Sequence, residues 1–463
     1  MKTDTIAAIS TAVTDSGIGI IRVSGDDSIS IVHSVFVNKK NEKCLNSYKS
    51  HTIHYGFIID EDETIIDEVM VSVMKAPYSY TTEDTIEINC HGGVFMMKKI
   101  MDIVLSAGAR TAQPGEFTKR AFINGRIDLS KAEAVMDIIN SKNEFALKSS
   151  VKQLKGSVSE IVKDLREKIL YEIAFIESAL DDPEHISLDE YPEKLYKKNE
   201  EIINRLKKLL DSADDGRILK EGINMVIVGK PNAGKSSLLN ILVGEEKAIV
   251  TEIAGTTRDI LEETIFFDGI TLNITDTAGI RNTDDVVEKI GVKRAKKAVE
   301  ESDLAVYVID ASIPLDENDF DIMKMIKDKK TIILLNKSDL ENFVSEDNLL
   351  HMFSNHDKIK IIKTSTKENE GIDSFIDIIK EMFFHGDLSY SDEIYITNIR
   401  HKESMKNAYD SMIQVQKSIE DNMPEDFYSI DLMSAYASLG EIIGEEIGED
   451  LVNEIFSKFC MGK

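Results

Sequence analysis

The clearest chemical signature in the chain is the run GKPNAGKS, from Gly229 to Ser236. Its G-x-x-x-x-G-K-S spacing, between an apolar strand and a helical pattern, is that of a phosphate-binding loop. Backbone N–H groups of the loop and of the helix N-terminus can surround phosphate oxygens. Lys235 can reach the β- and γ-phosphates, and the Ser236 hydroxyl can ligate Mg²⁺. The run therefore predicts a nucleoside triphosphate site.

Two further motifs follow in the order that such a site requires. DTAG, at 276–279, supplies a carboxylate that can hold Mg²⁺ through water, and NKSD, at 336–339, follows an apolar strand. Asp339 can accept from the ring N–H and the exocyclic amine of guanine, whereas adenine has no such donor pair. The motifs therefore predict GTP as the ligand. The predicted GTP-binding residues from these three motifs are Asn232, Ala233, Gly234, Lys235, Ser236, Ser237, Asp276, Thr277, Ala278, Gly279, Asn336, Lys337 and Asp339.

The run VTEIAGTTRD lies where a first switch is expected, and it offers Thr256 or Thr257 as a second protein ligand to Mg²⁺. Ras-like GTPases carry a Gln after DTAG that orients the attacking water, but this chain has Ile280. An aliphatic side chain cannot orient water. Hydrolysis therefore needs another residue, another ion or a partner in trans.

The elements around these motifs change in character along the chain. Residues 5–120 contain short apolar, β-branched runs separated by turns, with two helices between them, which indicates an α+β domain. Apolar residues then recur at helical spacing from Val151 to Ile176, which predicts one long helix. A second helix is predicted to follow Pro192. From Ile223 to about residue 384, strands and helices alternate as in an α/β domain, and helical periodicity then returns.

This order predicts a multidomain α+β and α/β protein. The predicted domains are an N-terminal α+β domain at 1–120, an α-helical domain at 121–215 plus 385–463, and a Ras-like P-loop α/β domain inserted at 216–384. The insertion is inferred because the two helical flanks need each other to bury their apolar stripes.

The composition limits the classes of partner. The formal charge of −28, from 55 basic and 83 acidic side chains, argues against binding nucleic acid through bulk electrostatics. Three cysteines without a C-x-x-C pair, together with a start that lacks a signal peptide, favour a cytoplasmic location. No apolar run is long enough for a membrane span, so no membrane partner is expected.

The chain ends in FCMGK, with Cys460 near the terminal carboxylate. Gly462 and Lys463 do not suit a prenylation signal. The alternative in which Cys460 is the nucleophile of a thiol enzyme would need a nearby His or helix N-terminus to lower its pKa.

Taken together, these motifs resemble the MnmE (TrmE) family of tRNA-modifying GTPases. The resemblance covers the whole chain and includes GIGIIRVSG, TTEDTIEINCHGG, QPGEFTKRAFINGRIDLSKAEA, TEIAGTTRD, DTAGIR and the terminal FCMGK. It implies that the N-terminal domain binds tetrahydrofolate and dimerises, and that the chain forms a homodimer. It further implies a heterotetramer with an MnmG-type FAD protein that acts on tRNA.

In this family the product is an aminomethyl or carboxymethylaminomethyl group on carbon 5 of the wobble uridine. The resemblance implies GTP, Mg²⁺ and K⁺ as cofactors. It also implies 5-formyltetrahydrofolate or 5,10-methylenetetrahydrofolate as the one-carbon carrier, with glycine or ammonium as the nitrogen source.

The resemblance assigns the ions and the catalytic residues of the GTP site. It implies a K⁺ site formed by Asn232, Thr251, Ile253 and Thr256, in the position where other GTPases bring an arginine finger. It favours Thr257, with Ser236, for Mg²⁺. Glu288 matches the residue that orients the attacking water, and Lys235 is its catalytic companion on the phosphates.

The resemblance also assigns the folate site, to Arg22, Glu87, Arg126 and Lys463. A carboxylate can accept from the amino and ring N–H groups of a pterin, and guanidinium groups pair with carboxylates. Many relatives have Lys where this chain has Arg126. Cys460, on the tail that approaches this pocket, is a candidate for the one-carbon transfer itself.

One functional alternative from a different class stays open. A GTPase switch in assembly or signalling, such as a ribosome-maturation factor, would share the phosphate loop and the base-reading motif. It would have no need of a folate pocket in residues 1–120.

Overall fold

The computed structural model describes residues 4–244, 249–251, 262–267, 270–276, 296–353, 358–384, 395–460 and 462. The chain divides into two compact units. The first unit comprises Met1–Met136, Lys152–Asn199 and Asp410–Lys463, and the second comprises Asp137–Val151 and Glu200–Tyr409. The domain boundaries predicted at 120, 215 and 384 stay predictions.

The strands of the described residues form two seven-stranded sheets, one in each unit. Their bounds are β1 Ile6–Ile9, β2 Ser16–Ser24, β3 Phe36–Asn38, β4 Thr52–Ile59, β5 Ile65–Met74, β6 Thr85–Gly92, β7 Arg110–Thr111, β8 Ile223–Val228, β9 Ile249–Thr251, β10 Glu262–Phe267, β11 Ile270–Asp276, β12 Leu304–Asp310, β13 Thr331–Asn336 and β14 Ile359–Lys363.

Helices make up most of the remaining described chain. Their bounds are α1 Ser28–Val35, α2 Val94–Ser106, α3 Glu116–Ile123, α4 Leu129–Ile139, α5 Glu144–Lys155, α6 Ser157–Asp181, α7 Tyr191–Glu221, α8 Lys235–Gly244, α9 Glu317–Ile326, α10 Glu346–Leu350, α11 Ile372–Phe384, α12 Ile399–Glu420, α13 Glu425–Ile443 and α14 Glu449–Ser457. Residues 296–301 are also helical, and Leu45–Ser47 form a 3₁₀ turn. Among the described helices, none combines the length and the apolar character that crossing a membrane requires.

The first sheet has the order β3-β4-β5-β6-β2-β1-β7, and its neighbours are antiparallel except β1 and β7. Along β5, Asp67, Val69, Val71 and Val73 are buried and the residues between them are more exposed, because this antiparallel sheet has one covered face. Helices α1 and α2 cover that face and contribute to the same hydrophobic core. The predicted α+β domain is thereby confirmed.

The prediction of one long helix from Val151 to Ile176 is wrong in one respect, because the structure has two helices, α5 and α6, separated at Gly156. Gly156 has a φ of +109°, a conformation that ends an α-helix and favours glycine. After the break the apolar stripe is buried, at Val158, Leu165 and Ile169 among others. Before it, Val151 and Leu154 are half-buried. Hydrophobic periodicity therefore identified the buried face of α6 correctly and missed the break.

The second sheet has the order β14-β13-β12-β8-β11-β10-β9, with parallel pairing from β14 to β11. All residues of β12 and β13 are buried, as expected for central strands with both faces covered. The helix predicted to follow Pro192 is α7, which begins one residue earlier at Tyr191 and runs to Glu221, and only Gly222 separates it from β8. The predicted α/β domain is confirmed in this unit.

Replacing Phe375 by Ala is expected to destabilise the second unit by about 3–5 kcal/mol, because the cavity left in a closed core refills poorly. Phe375 is fully buried, on α11, in the core beneath the second sheet. Native-state hydrogen exchange of the β12 and β13 amides measures the loss. The matched control, Phe343→Ala, alters a side chain that is 60% exposed in the same unit and should change the free energy of opening by under about 0.5 kcal/mol. Equal effects of the two variants would contradict this description of the core.

Candidate functional site

The phosphate loop lies between the end of β8 at Val228 and the start of α8 at Lys235. Two of its glycines are required by close backbone packing. A Cβ on Gly229, whose φ is +151°, would lie 2.4 Å from the carbonyl oxygen of Val308, and one on Gly234, at φ +111°, would lie 2.0 Å from Nδ2 of Asn336. Any side chain at these positions would push the loop away from β12 and from the NKSD motif.

Lys235 folds back over this loop. Its Nζ donates to the carbonyl oxygens of Gly229 and Lys230, at 2.7 and 2.8 Å, so the ammonium lies within the curve of the loop. Ser236 and Ser237 are exposed in the first turn of α8, and Ala233 is buried beneath the loop. A helix N-terminus, a loop of backbone N–H groups and one ammonium together form an anion site suited to phosphates.

Of the Mg²⁺-site residues predicted from the sequence, Ser236 and Asp276 lie in the described part of the chain. The exposed Ser236 hydroxyl suits a magnesium ligand beside a phosphate cradle. Strand β11 pairs in parallel with β8, and Asp276 is opposite Ile227 at the end of the pair. The backbone of Asp276 therefore lies at the sheet edge that carries the phosphate loop.

Asn336 belongs to NKSD, the base-reading motif, and it bonds to the phosphate loop and to the loop that contains Thr366. Its Nδ2 donates to the carbonyl oxygen of Ala233 at 2.7 Å, and its Oδ1 accepts from the N–H of Thr366 at 3.0 Å. Asn336 is almost fully buried. It therefore fixes three segments relative to one another: the phosphate loop, the NKSD motif, and the segment TSTKENEGID at 364–373.

Asp339 lies at the surface end of this arrangement. The Ser365 hydroxyl donates to its Oδ1 at 2.8 Å, and Ser365 also pairs with Glu370 through the backbone. Ser365 thus lies against the carboxylate that the sequence predicts to read guanine. Lys337, with a φ of +64°, turns its side chain to Asp310 and forms an ion pair.

Several predicted residues lie outside the described residues. They are Ile253, Thr256, Thr257, Thr277, Ala278, Gly279, Ile280, Glu288 and Lys463. Thr251 is described only as the end of β9, where it is opposite Thr264 of β10. Asn232 is exposed in the phosphate loop, with a left-handed φ of +61°.

A second cluster lies in the first unit, where Arg22 of β2 is directly opposite Glu87 of β6. The guanidinium donates to Glu87 Oε1 from Nε at 2.9 Å and from Nη2 at 2.8 Å. Both side chains are largely buried, with 13% and 23% of their surfaces exposed. The pair presents a carboxylate and a cation together at the surface of the sheet.

Tyr80 is a member of this cluster that the sequence did not single out. The Arg22 guanidinium lies 5.4 Å from the centre of the Tyr80 ring, and the exposed Arg126 guanidinium lies 4.8 Å from it. Phe117 contacts Arg22 in the same way, at 5.5 Å. The structure therefore brings Arg22 and Arg126 to one aromatic ring, with Glu87 paired to Arg22.

The FCMGK segment at 459–463, called the tail below, contacts this cluster through its described residues. Arg22 Nη1 donates to the carbonyl oxygen of Gly462 at 3.2 Å, and the N–H of Gly115 donates to that of Cys460 at 3.2 Å. A Cβ on Gly462 would lie 2.5 Å from Cα of Ser10. The tail is thus held by its backbone and by a glycine that packs closely, while the Cys460 thiol is exposed.

Two rings at the C-terminal end of α14 help to place the tail. Phe456, in the helix, and Phe459, just beyond it, pack with Leu129 and Phe122 in a small core. Gly115 precedes α3 with a φ of +68°, and a Cβ there would lie 2.5 Å from the carbonyl oxygen of Phe456. The position of the tail therefore depends on contacts between residues far apart in sequence.

A partly buried network of ion pairs supports α3. Arg120 donates to Glu83 and Glu116, and Arg110 donates to Glu116 and Asp4. Burial would raise the pKa of Glu116, but hydrogen bonds from Arg110, from the N–H of Gln113 and from Arg120 outweigh burial and lower it. These carboxylates compensate the buried guanidinium of Arg120 and the more exposed one of Arg110, which stabilises α3.

The chain matches two family models that together span most of its length. Residues 5–126 match the GTP-binding protein TrmE N-terminus, and residues 129–460 match the MnmE helical domain.

Curated relatives match over the whole length. A protein of Lachnoclostridium phytofermentans named tRNA modification GTPase MnmE is 56% identical and matches over 100% of both chains. One of Acetivibrio thermocellus with the same name is 49% identical, also over 100% of both. Among solved structures, Era of Aquifex aeolicus bound to GDP and aluminium fluoride is 28% identical over 41% of this chain and 67% of its own, with a TM-score of 0.28.

The family models, the full-length relatives and the phosphate-loop geometry agree. The chain therefore belongs to the MnmE family of tRNA modification GTPases, and it is a GTP hydrolase involved in tRNA modification.

Proposed function

We propose that the chain hydrolyses GTP with Mg²⁺ and K⁺ and works with an MnmG-type FAD protein on certain tRNAs. The product is an aminomethyl or carboxymethylaminomethyl group on carbon 5 of the wobble uridine. A tetrahydrofolate, in the 5-formyl or 5,10-methylene form, supplies the one-carbon unit, and glycine or ammonium supplies the nitrogen.

The observation that carries this proposal is the meeting of Arg22, Glu87 and the Gly462 carbonyl at one place in the first unit. A half-buried carboxylate can accept from the amino and ring N–H groups of a pterin, and the exposed Arg126 can pair with a carboxylate of the glutamate tail. A GTPase switch for ribosome maturation has no use for such a cluster. The arrangement therefore favours the modification function over that alternative.

The tail adds a thiol to this site. Cys460 is exposed beside a backbone that Gly115 and Arg22 hold in place. We assign Cys460 and Lys463 to the one-carbon transfer, as residues that approach the folate from the docked tail. The nearby ring of Tyr80 offers a face on which a planar pterin can stack.

In the GTP site, the residues that we assign to K⁺ are Asn232, Thr251, Ile253 and Thr256, and those for Mg²⁺ are Ser236 and Thr257. When bound, K⁺ supplies positive charge to the transition state in place of an arginine finger. The exposed amide of Asn232 suits a potassium ligand because the amide oxygen is a neutral donor. Glu288 orients the attacking water, since Ile280 cannot.

We propose that the exposed face of the first sheet is the surface that binds the second copy in a homodimer. Ile53, Tyr55 and Met70 are exposed there by 67%, 37% and 51%, and Tyr55 is directly opposite Met70. Exposed apolar surface of this kind is typical of an interface. The FAD protein would supply the basic surface for tRNA, because this chain carries a formal charge of −28.

Glu87→Gln is expected to weaken binding of 5-formyltetrahydrofolate by at least about tenfold, because a charged acceptor is lost from the pterin site. Calorimetry on the full-length protein measures the affinity. The matched control, Glu61→Gln, alters an exposed residue in the turn between β4 and β5 and should leave the affinity unchanged. If the wild-type protein binds no folate, the modification function fails and the GTPase-switch alternative is favoured.

Gly462→Ala is expected to displace the tail, since its methyl group would lie 2.5 Å from Ser10 Cα and 2.8 Å from the carbonyl oxygen of Ile9. Wobble-uridine modification with the FAD partner should fall strongly, while GTP affinity stays unchanged. Gly448→Ala is the control, because a Cβ there has no neighbour within 4 Å. Full modification by the Gly462 variant would show that tail docking is not needed.

GTP hydrolysis is expected to be faster in K⁺ than in Na⁺, and Asn232→Gly should remove that difference while retaining GTP affinity. Glycine keeps the left-handed backbone of position 232, at φ +61°, and removes only the amide. Steady-state turnover in matched KCl and NaCl measures the effect. Equal turnover of the wild-type protein in the two salts would contradict the K⁺ assignment.

A second variant, measured in the same two salts, tests the orientation of the attacking water separately from the role of K⁺. Glu288→Ala should lose hydrolysis in both salts and retain GTP affinity, because its role begins with the attacking water. Loss of nucleotide binding would instead make Glu288 a structural residue.

A further inference from the structure

One side chain of the phosphate loop points away from the nucleotide cradle. Lys230 turns toward α9, and its Nζ donates to Asp319 Oδ2 at 2.7 Å and to Asp316 Oδ2 at 3.0 Å. Only 15% of the Lys230 side chain is exposed. Burial disfavours its charge, but the hydrogen bonds to Asp319 and Asp316 outweigh burial and raise its pKa.

Asp319 is the buried centre of this contact, with 1% of its surface exposed. Its Oδ1 accepts from the Tyr307 hydroxyl at 2.7 Å, and its Oδ2 accepts from the N–H of Asp316 at 2.9 Å as part of the capping box of α9. Lys230 supplies a cation to this carboxylate. Without that cation, a buried charge would be left uncompensated, which is costly.

Asp316 and Asp319 lie at the end of the segment 310–319, and the start of this segment contacts the base-reading motif NKSD. Asp310, the last residue of β12, forms an ion pair with Lys337 of NKSD, and the N–H of Ala311 donates to the carbonyl oxygen of Asn336 at 2.9 Å. Burial would raise the pKa of Asp310, but hydrogen bonds from Lys337 and Ser312 outweigh it and lower the pKa. Residues 310–319 therefore join the loop that holds the phosphates to the loop that reads the base.

The backbone of Lys230 also contacts the essential lysine of the loop. Its carbonyl oxygen accepts from Lys235 Nζ at 2.8 Å. A shift of Lys230 would therefore move an acceptor of the ammonium that reaches the phosphates.

We propose that Lys230 is a positioning residue for GTP binding, which locks the phosphate loop onto the 310–319 segment through Asp319. The segment then keeps the phosphate loop and the base-reading loop at the spacing that one bound guanine nucleotide requires. This role concerns GTP binding alone, so it stands or falls independently of K⁺, folate and the FAD partner.

The test compares Lys230→Met with Lys230→Arg in the full-length protein. The Met variant should weaken binding of fluorescent GDP and GTP analogues by about tenfold, because a buried carboxylate loses its partner. KM for GTP should rise by the same factor, with little change in kcat. Arginine can pair with both carboxylates and should restore most of the affinity.

Asp319→Asn and the double variant distinguish positioning from direct contact with the nucleotide. Under the proposal, Asp319→Asn weakens nucleotide binding as Lys230→Met does, and the double variant loses no more than either single one. A lysine that bound phosphate directly would instead give a normal affinity in Asp319→Asn. That outcome, or a Lys230→Met protein with a lower melting temperature and unchanged affinity, would overturn the proposal.

Discussion

The nucleotide site depends on one constraint, the parallel alignment of strands that end at the same edge of the second sheet. Asp276 is opposite Ile227, and Asp310 is opposite Asn336, so the motifs that follow these strands emerge together. Helix α9 between β12 and β13, and helix α10 between β13 and β14, return the chain to the opposite edge, which allows these strands to pair in parallel. Motifs separated by a hundred residues thereby meet around one nucleotide.

Close packing then converts this alignment into a defined geometry. Gly229 approaches β12, and Gly234 approaches Asn336, at distances that leave no room for a side chain. Asn336 and Lys230 fix the two sides of the phosphate loop with polar contacts. The loop is therefore held in place by contacts with neighbouring protein elements, which reduces the ordering cost of binding.

In the first unit, the FCMGK tail is placed beside Arg22 of β2. Beyond α14, the described residues of this tail belong to neither a helix nor a strand. Its position is set by two aromatic rings of the helix end, by backbone hydrogen bonds from Gly115 and Arg22, and by the close fit of Gly462. Each of these contacts joins residues that lie hundreds of positions apart. Antiparallel pairing of β2 with β6 adds Arg22 opposite Glu87 in the same place.

The sequence by itself determined the nucleotide chemistry, because a phosphate loop and a guanine-reading motif are local patterns with local physical causes. It also indicated which regions form strands and which form helices, and the buried face of α6, since hydrophobic periodicity follows from burial. It missed the break at Gly156, because a single left-handed residue interrupts the helix without interrupting the apolar stripe. Only the tertiary structure decided that Tyr80 lies between two guanidiniums, that Lys230 turns to Asp319, and that Gly462 contacts Arg22. Such contacts depend on how distant elements pack, and no spacing along the chain encodes them.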